Sequence, residues 1–444
     1  MKRVYNSPRE AIARWSGPIP FNSEANASGK RRLAQFLFFC ILMIIARQSI
    51  MIRQHVTQVD ISGVDTYAFI DIAIVCLIAV VLLFSGIIRP TWSALRRTPV
   101  VWLYGYYLIC AASFVWSAAP IYSLYRAIEY LVLLSAALAA MAQFRNFTAA
   151  ERAFLYVTAV TILLQMCITL RLQGFSWSLP DWHTNVYSAS SAIMFCYCLG
   201  EYLAMTGAQS SENQKRRRRL WWFGIFSFGT LALGTSAGSN VAAAVGCLLI
   251  FLALCRWGLL LALLMGGLIL FLWGGSMEFF QNLLFPGKSE NQIETASSRT
   301  LIWKLYWHRF LQSPMLGDGF GVISEGREKV FAALSHNSLF TVLIGTGIVG
   351  LVFFSLFMVR LWLTTIAEVW RKKPGTIGFA GALAAALVNC LTMPLMADRW
   401  YTTSIVFVCL LGLFLLHIRA PRPQSSSRIS PNRRAVMGSP VNRS

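Results

Sequence analysis

Several side chains in this sequence stand at the edges of apolar runs, where their types permit specific chemistry. His336, in Ser335-His336-Asn337-Ser338, directly precedes such a run. At a helix start the positive end of the helix dipole favours the neutral imidazole, which leaves a ring nitrogen able to accept a proton. The plain alternative is that His336 only caps the helix. Arg299, in Ser297-Ser298-Arg299-Thr300, also falls at an expected helix start. A cation there is disfavoured by roughly 0.3–1 kcal/mol and wants an anion, either a bound phosphate matched to its planar fork or the nearby Glu294. Arg126 and Glu129 lie at i,i+3 in the first turns of another apolar run, where ionisable groups are costly unless paired or functional. His183 and Asn185, in Asp181-Trp182-His183-Thr184-Asn185, suit either ligand contact or ordinary polarity at the level of lipid headgroups. No Asp-x-Asp pair stands in the outward segments, so no metal-dependent mechanism is suggested and no cofactor is expected.

The elements that position these groups are apolar helices. The chain has 444 residues, 56% of them hydrophobic and 13% charged, with a mean hydropathy of +0.58, far from the balance of a soluble domain. Apolar runs near the roughly 20 residues that cross a bilayer recur along almost the whole chain. They predict an all-α integral membrane protein with about twelve transmembrane helices. The spans are expected near 33–52, 67–88, 100–117, 122–143, 153–172, 186–206, 220–235, 239–256, 258–275, 337–360, 376–395 and 400–417.

The formal net charge of +21 is sorted by this layout. Basic clusters at 2–32, Arg89/Arg96/Arg97, Arg145/Arg152, Lys215 to Arg219, Arg256, Arg371 to Lys373 and Arg419 to Arg443 fall on one side, which the positive-inside rule makes cytoplasmic. Both termini are then inside, and the excess charge reports orientation, with no nucleic-acid partner implied. Lys215 to Arg219 reads as an anchor facing anionic lipid. The domain organisation is a basic N-terminal segment over 1–32, a polytopic domain over 33–418 and a disordered basic cytoplasmic tail over 419–444. The first span lacks the layout of a cleavable signal and is expected to stay as an anchor. All ten cysteines fall inside expected spans as small apolar residues, so neither a disulfide framework nor a zinc site is indicated.

One connection is long. Residues 276–336 form a large outer loop between the ninth and tenth spans, too rich in aromatic and aliphatic residues to be disordered. Within it 297–311 reads as an amphipathic helix, with Leu301, Ile302, Leu305, Tyr306, Phe310 and Leu311 on one face and Pro314 ending the pattern. Gly317-Asp318-Gly319-Phe320-Gly321 follows as a glycine-dependent turn. Lys304, Arg309, Arg327 and Lys329 read as solvated, and Asp71 and Asn389 as partners in interhelical hydrogen bonds. A tight polar turn over 234–240 joins the seventh and eighth spans.

Trp116-Ser117-Ala118-Ala119-Pro120 with Ser123-Leu124-Tyr125-Arg126, His183-x-Asn185, Ser298-Arg299, Gly317-x-Gly319-Phe320-Gly321, His336-Asn337 and Gly345-x-Gly347-x-x-Gly350 occur in this order over roughly 100–400. Together they resemble the O-antigen ligase and polymerase superfamily, and its exopolysaccharide polymerase-type branch most. The resemblance implies a bacterial inner-membrane glycosyltransferase that moves an undecaprenyl-diphosphate-linked glycan onto a sugar hydroxyl at the periplasmic face. It implies His336 as the catalytic residue and Arg299, with Arg126, as ligands of the substrate diphosphate. His183, Asn185 and Asn337 are expected at the acceptor or glycan. Relatives often carry an arginine near Ser236–Ser239 and, in the exopolysaccharide branch, a lysine where Thr184 stands; neither is present here. The expected partners are the lipid-linked oligosaccharide donor, the glycan acceptor and membrane lipids, with a flippase and a chain-length regulator beside a polymerase. The alternatives are a ligase acting on a lipid A core or protein, and a flippase or other transporter, for which inverted repeats would be expected and none is found.

Overall fold

The computed structural model describes residues 27–50, 66–173, 185–205, 210–234, 236–256, 258, 261, 265, 299–322, 337–393, 395–396 and 402–418. Every regular element among the described residues is helical. In chain order they are α1 Ala27–Ile50, α2 Thr66–Phe84, α3 Ile88–Leu95, α4 Val100–Ala112 with a 3₁₀ turn Ser113–Val115, α5 Pro120–Ala142, α6 Phe147–Gln173 and α7 Asn185–Ala204. There follow α8 Ser211–Leu233, α9 Ala237–Ala253, α10 Arg299–Gln312, α11 Ser338–Trp370, α12 Thr376–Cys390 and α13 Thr402–Leu413, which ends in a π turn Phe414–Ile418. A helix occupies every expected span except 258–275, of which only 258, 261 and 265 are described; 1–26 and 419–444 lie outside the described residues.

Length and apolarity suffice for crossing a membrane in Pro120–Ala142, Phe147–Cys167 and Ser338–Trp370; Phe69–Phe84 and Ile88–Leu95 qualify as a pair bent by 85°. Val100–Val115, Ala237–Ala253, Thr376–Cys390 and Thr402–Ile418 are apolar but shorter. The outer surface is itself apolar, with Leu83, Phe84, Val115, Ile121 and Trp370 each more than 70% exposed. Such a surface matches hydrocarbon rather than water. The molecule is a membrane protein, all-helical among the described residues.

The core runs through α1, α4, α5, α6, α7, α11, α12 and α13. Helix α12 packs against both α7 and α9, and α11 against α4. Small residues set the closest approach: a Cβ on Gly200 of α7 would stand 2.8 Å from Gly378 Cα of α12. In lipid, where there is no hydrophobic drive between helices, such contacts bring backbones together and hold them by packing.

Helix α11 is broken inside. Gly347 has φ 63° and ψ −160°, a non-helical conformation open in practice only to glycine. The break strips helical hydrogen bonds from its neighbours, and a buried backbone group without a partner is costly in a membrane. The residues that follow α10 supply the partners.

Candidate functional site

The segment after α10 inserts against the broken α11. Asp318 N donates to Ile344 O at 2.7 Å and Gly319 N to Gly345 O at 3.1 Å. In return Ile348 N donates to Pro314 O at 2.9 Å and Val349 N to Met315 O at 3.3 Å. Gly317, Gly319 and Gly321 have φ of 67°, 109° and 76°, as the glycine-dependent turn requires. Side chains at Gly317 and Gly319 would collide, respectively, with the α11 backbone around Ile344–Thr346 and with Ser117.

The same turn docks on the junction between α4 and α5. Trp116 Nε1 donates to Leu316 O at 3.0 Å, Ala118 N to Asp318 O at 3.4 Å, and Phe320 N to Ser113 Oγ at 3.0 Å. Phe320 is buried edge-on against Tyr106 and Tyr130. Pro120 opens α5, where its missing N–H costs nothing and its φ is preset. Ser117 Oγ accepts from Ala119 N at 3.0 Å and shares a hydrogen bond with Ser123 Oγ at 2.6 Å, which fixes the entry into α5. The segments singled out as motifs, Trp116–Arg126, Gly317–Gly321 and Gly345–Gly350, therefore meet in one place.

Arg126 sits at this meeting point. Its Nε donates to Tyr122 Oη at 2.9 Å and its Nη1 to Glu129 Oε2 at 2.8 Å. The guanidinium also lies over the rings of Tyr122 and Tyr125, 5.1 and 5.6 Å from their centroids. Gly321 closes over it: a Cβ there would be 3.1 Å from Tyr122 Cε1 and 3.6 Å from Arg126 Cγ. Glu129 is fully buried, while the Arg126 side chain keeps 19% of its surface exposed.

Helix α10 begins at Arg299 and ends at Gln312, close to the expected 297–311. Its packed face is narrower than expected. Ile302, Tyr306 and Phe310 lie against Phe340, Leu343 and Ile344 of α11, but Leu305 and Leu311 are 37% and 55% exposed. Arg309, expected in solvent, instead donates from Nε to Asp318 Oδ2 at 2.6 Å. This ion pair ties the end of α10 to the docked turn.

His183 and His336 lie outside the described residues, as do the side chains of Arg299 and Asn185, which are the first residues of α10 and α7. Asn337 caps α11: its side-chain oxygen accepts from Leu339 N at 2.9 Å and Phe340 N at 3.4 Å. The residue after His336 thus starts the helix that the turn grips. Asp71 bonds to Arg47, and Asn389 Oδ1 accepts from Ser239 Oγ at 3.1 Å, as interhelical partners should. No group of three or more potential metal ligands occurs among the described residues.

A second charged cluster lies on other helices, α6, α7, α8 and the start of α12. Arg216, expected to face lipid headgroups, is buried, and its Nη2 bonds to Glu151 Oε1 at 2.6 Å and Glu201 Oε2 at 2.7 Å. Glu201 in turn accepts from Gly375 N at 2.7 Å and Gly378 N at 3.0 Å, the first amides of α12. Burial works against the Arg216 charge, but the hydrogen bond and charge of Glu151, then the charge of Glu201, outweigh it and raise its proton affinity. The cluster joins α6, α7, α8 and α12. Its neutralised charges are those of a structural tie.

These features define a membrane protein in which a polar turn is clamped between two helices beside a partly open arginine. Residues 222–355 match the family model described as O-antigen ligase, which supports the resemblance to the O-antigen ligase and polymerase superfamily. The matched stretch runs from α8 into α11 and includes Arg299, the glycine turn and His336; Arg126 and Asn185 precede it. No curated protein matches the chain.

Proposed function

We propose that the protein is a metal-independent glycosyltransferase of the bacterial inner membrane. It transfers an undecaprenyl-diphosphate-linked glycan to a sugar hydroxyl at the periplasmic face and polymerises exopolysaccharide repeat units. The observation that carries this reading is the clamp: α10, which starts at Arg299, and α11, which starts just after His336, are joined by four backbone hydrogen bonds through 314–319, next to Arg126. Arg299 and His336 beside helix starts, with Arg126 in the second turn of α5, supply what the reaction needs. A glycosyl diphosphate brings its own leaving group, so the protein must receive the developing phosphate charge and take the proton of the attacking hydroxyl.

In this reading Arg299 and Arg126 bind the diphosphate through their planar forks, and His336 accepts the proton. His183, Asn185 and Asn337 orient the glycan. The twelve-span layout puts these groups on the periplasmic side, with both termini cytoplasmic and 276–336 as the large periplasmic loop. A flippase and a chain-length regulator would work beside such a polymerase. A ligase reading is favoured by one observation, the description of the matched family as O-antigen ligase; it changes the acceptor and keeps the same chemistry.

Single substitutions in the purified protein test the assignment. His336→Ala should lower turnover about 10²–10⁴-fold with donor binding kept. Arg299→Ala should weaken donor binding as well, and Arg299→Lys should recover little because an ammonium lacks the bidentate fork. A stably inserted His336→Ala protein with near wild-type turnover would return His336 to the role of a helix-start residue.

A further inference from the structure

Glu129 meets Arg126 end-on. A side-on pair would place both carboxylate oxygens on two guanidinium nitrogens. Glu129 uses one oxygen on one nitrogen, Oε2 to Nη1. Its other oxygen, Oε1, is buried and has no hydrogen-bond partner among the described residues. Nη2 of Arg126 takes no part in either of the bonds to Tyr122 and Glu129. The carboxylate therefore opposes the arginine's charge while leaving part of its donor fork available. Leaving a buried carboxylate oxygen without a donor is costly, and saturating it would have required only a hydroxyl nearby. Tyr125 and Tyr122 both stack with the guanidinium, yet neither satisfies Oε1.

We infer that Glu129 is a positioning residue that limits how tightly Arg126 holds a diphosphate, so that the spent lipid carrier can leave. The inference rests on the reading of Arg126 as a diphosphate ligand. In transfer the bond between the sugar carbon and the phosphate oxygen breaks, its electron pair stays on that oxygen, and the sugar carbon bonds to the acceptor oxygen, whose proton goes to the base. The remaining lipid diphosphate has a free terminal phosphate, whose second ionisation is near neutral pH, so it carries up to about one more negative charge than the donor. An arginine with its full charge in a site of low dielectric would bind this product more tightly than the donor. A fixed carboxylate beside it repels the more highly charged species more strongly and biases the site toward release. The same carboxylate holds the guanidinium in place through its one short bond.

The test uses the full-length protein in detergent, with farnesyl diphosphate as a soluble polyprenyl diphosphate probe and calorimetric titration as the readout. Glu129→Gln keeps the shape and removes the charge. It should bind the probe roughly ten- to thirtyfold more tightly, the size expected for one like charge at about 8 Å in an effective dielectric of about 20. In turnover assays its KM and kcat should fall together, because release becomes slow. Arg126→Ala should bind weakly, and adding Glu129→Gln to it should recover part of the binding, since the carboxylate repels the diphosphate directly. Unchanged or weaker binding by Glu129→Gln, with Arg126→Ala still impaired, would overturn the inference and leave the arginine's role intact. Wild-type binding by Arg126→Ala would instead remove the underlying reading of Arg126. Glu129→Asp, which draws the carboxylate back by one methylene, should show a smaller gain. If neither Glu129 variant inserts and accumulates, the carboxylate is a folding group and the inference fails.

Discussion

A guanidinium buried among carboxylates holds its place only while every charge keeps a partner. Arg216 meets this condition through Glu151 and Glu201, and Glu201 passes the constraint to the first turn of α12. Arg216→Ala would leave two buried carboxylates opposed only by Arg219, which reaches Glu151 at 3.4 Å. It should cost about 3–5 kcal/mol, read as a large drop in the thermal midpoint in detergent, and Arg216→Lys should restore little. A midpoint unchanged within error would show that the cluster does not tie the helices. The sequence made part of this level legible. An ionisable or strongly polar group inside an apolar run must find a partner, which is why Arg126 with Glu129, Asp71 and Asn389 could be read as paired or functional. Arg216 and Arg309 could not, because each stands in a segment whose charge or polarity reads as solvated. The chief partner of Arg216, Glu151, is 65 positions away, and that of Arg309 is an aspartate inside a glycine turn.

At the scale of elements, the link between α10 and α11 depends on one glycine. Its φ of 63° with ψ of −160° costs a non-glycine residue about 1–3 kcal/mol before any clash, and a Cβ would also run into the backbone of Met315 and Leu316. Gly347→Ala should release the turn, speed hydrogen exchange at the amides of Asp318, Gly319, Ile348 and Val349, and abolish turnover. Gly229→Ala, on α8 where a Cβ meets nothing within 4 Å, should change neither. Unaltered exchange in Gly347→Ala would mean that the break is held by other contacts. Composition signalled both glycine segments, and the positive φ values at 317, 319 and 321 follow from it. Their docking on each other did not show, because the apolar pattern of Ser338–Trp370 runs through Gly347 without interruption. Hydropathy registers side chains, and this contact is made by backbone. The narrower face of α10 has a related cause: Leu305 and Leu311 fit the helical period, but α11 offers only the strip from Phe340 to Ile344 to cover them.

At the scale of the whole molecule, apolarity fixed the class and the order of helices, while the number that cross the bilayer is less directly written. An apolar run marks a bundle's buried centre as readily as a span. Helix α13 is buried along its whole length, and α12 along most of it. Both are shorter than the roughly 20 residues that a straight crossing needs. What the architecture does hold together is the set of segments that the proposed transfer uses: the entry of α5, the turn after α10 and the broken α11. The most direct measurement is of the lipid-linked glycans extracted from cells that lack the protein. Loss of a polymerase predicts accumulation of single repeat units on undecaprenyl diphosphate, reversed by the wild-type chain and not by His336→Ala. Long chains left unattached on the lipid would move the assignment to a ligase, and an unchanged pool of lipid-linked glycan would contradict transfer from a lipid diphosphate altogether.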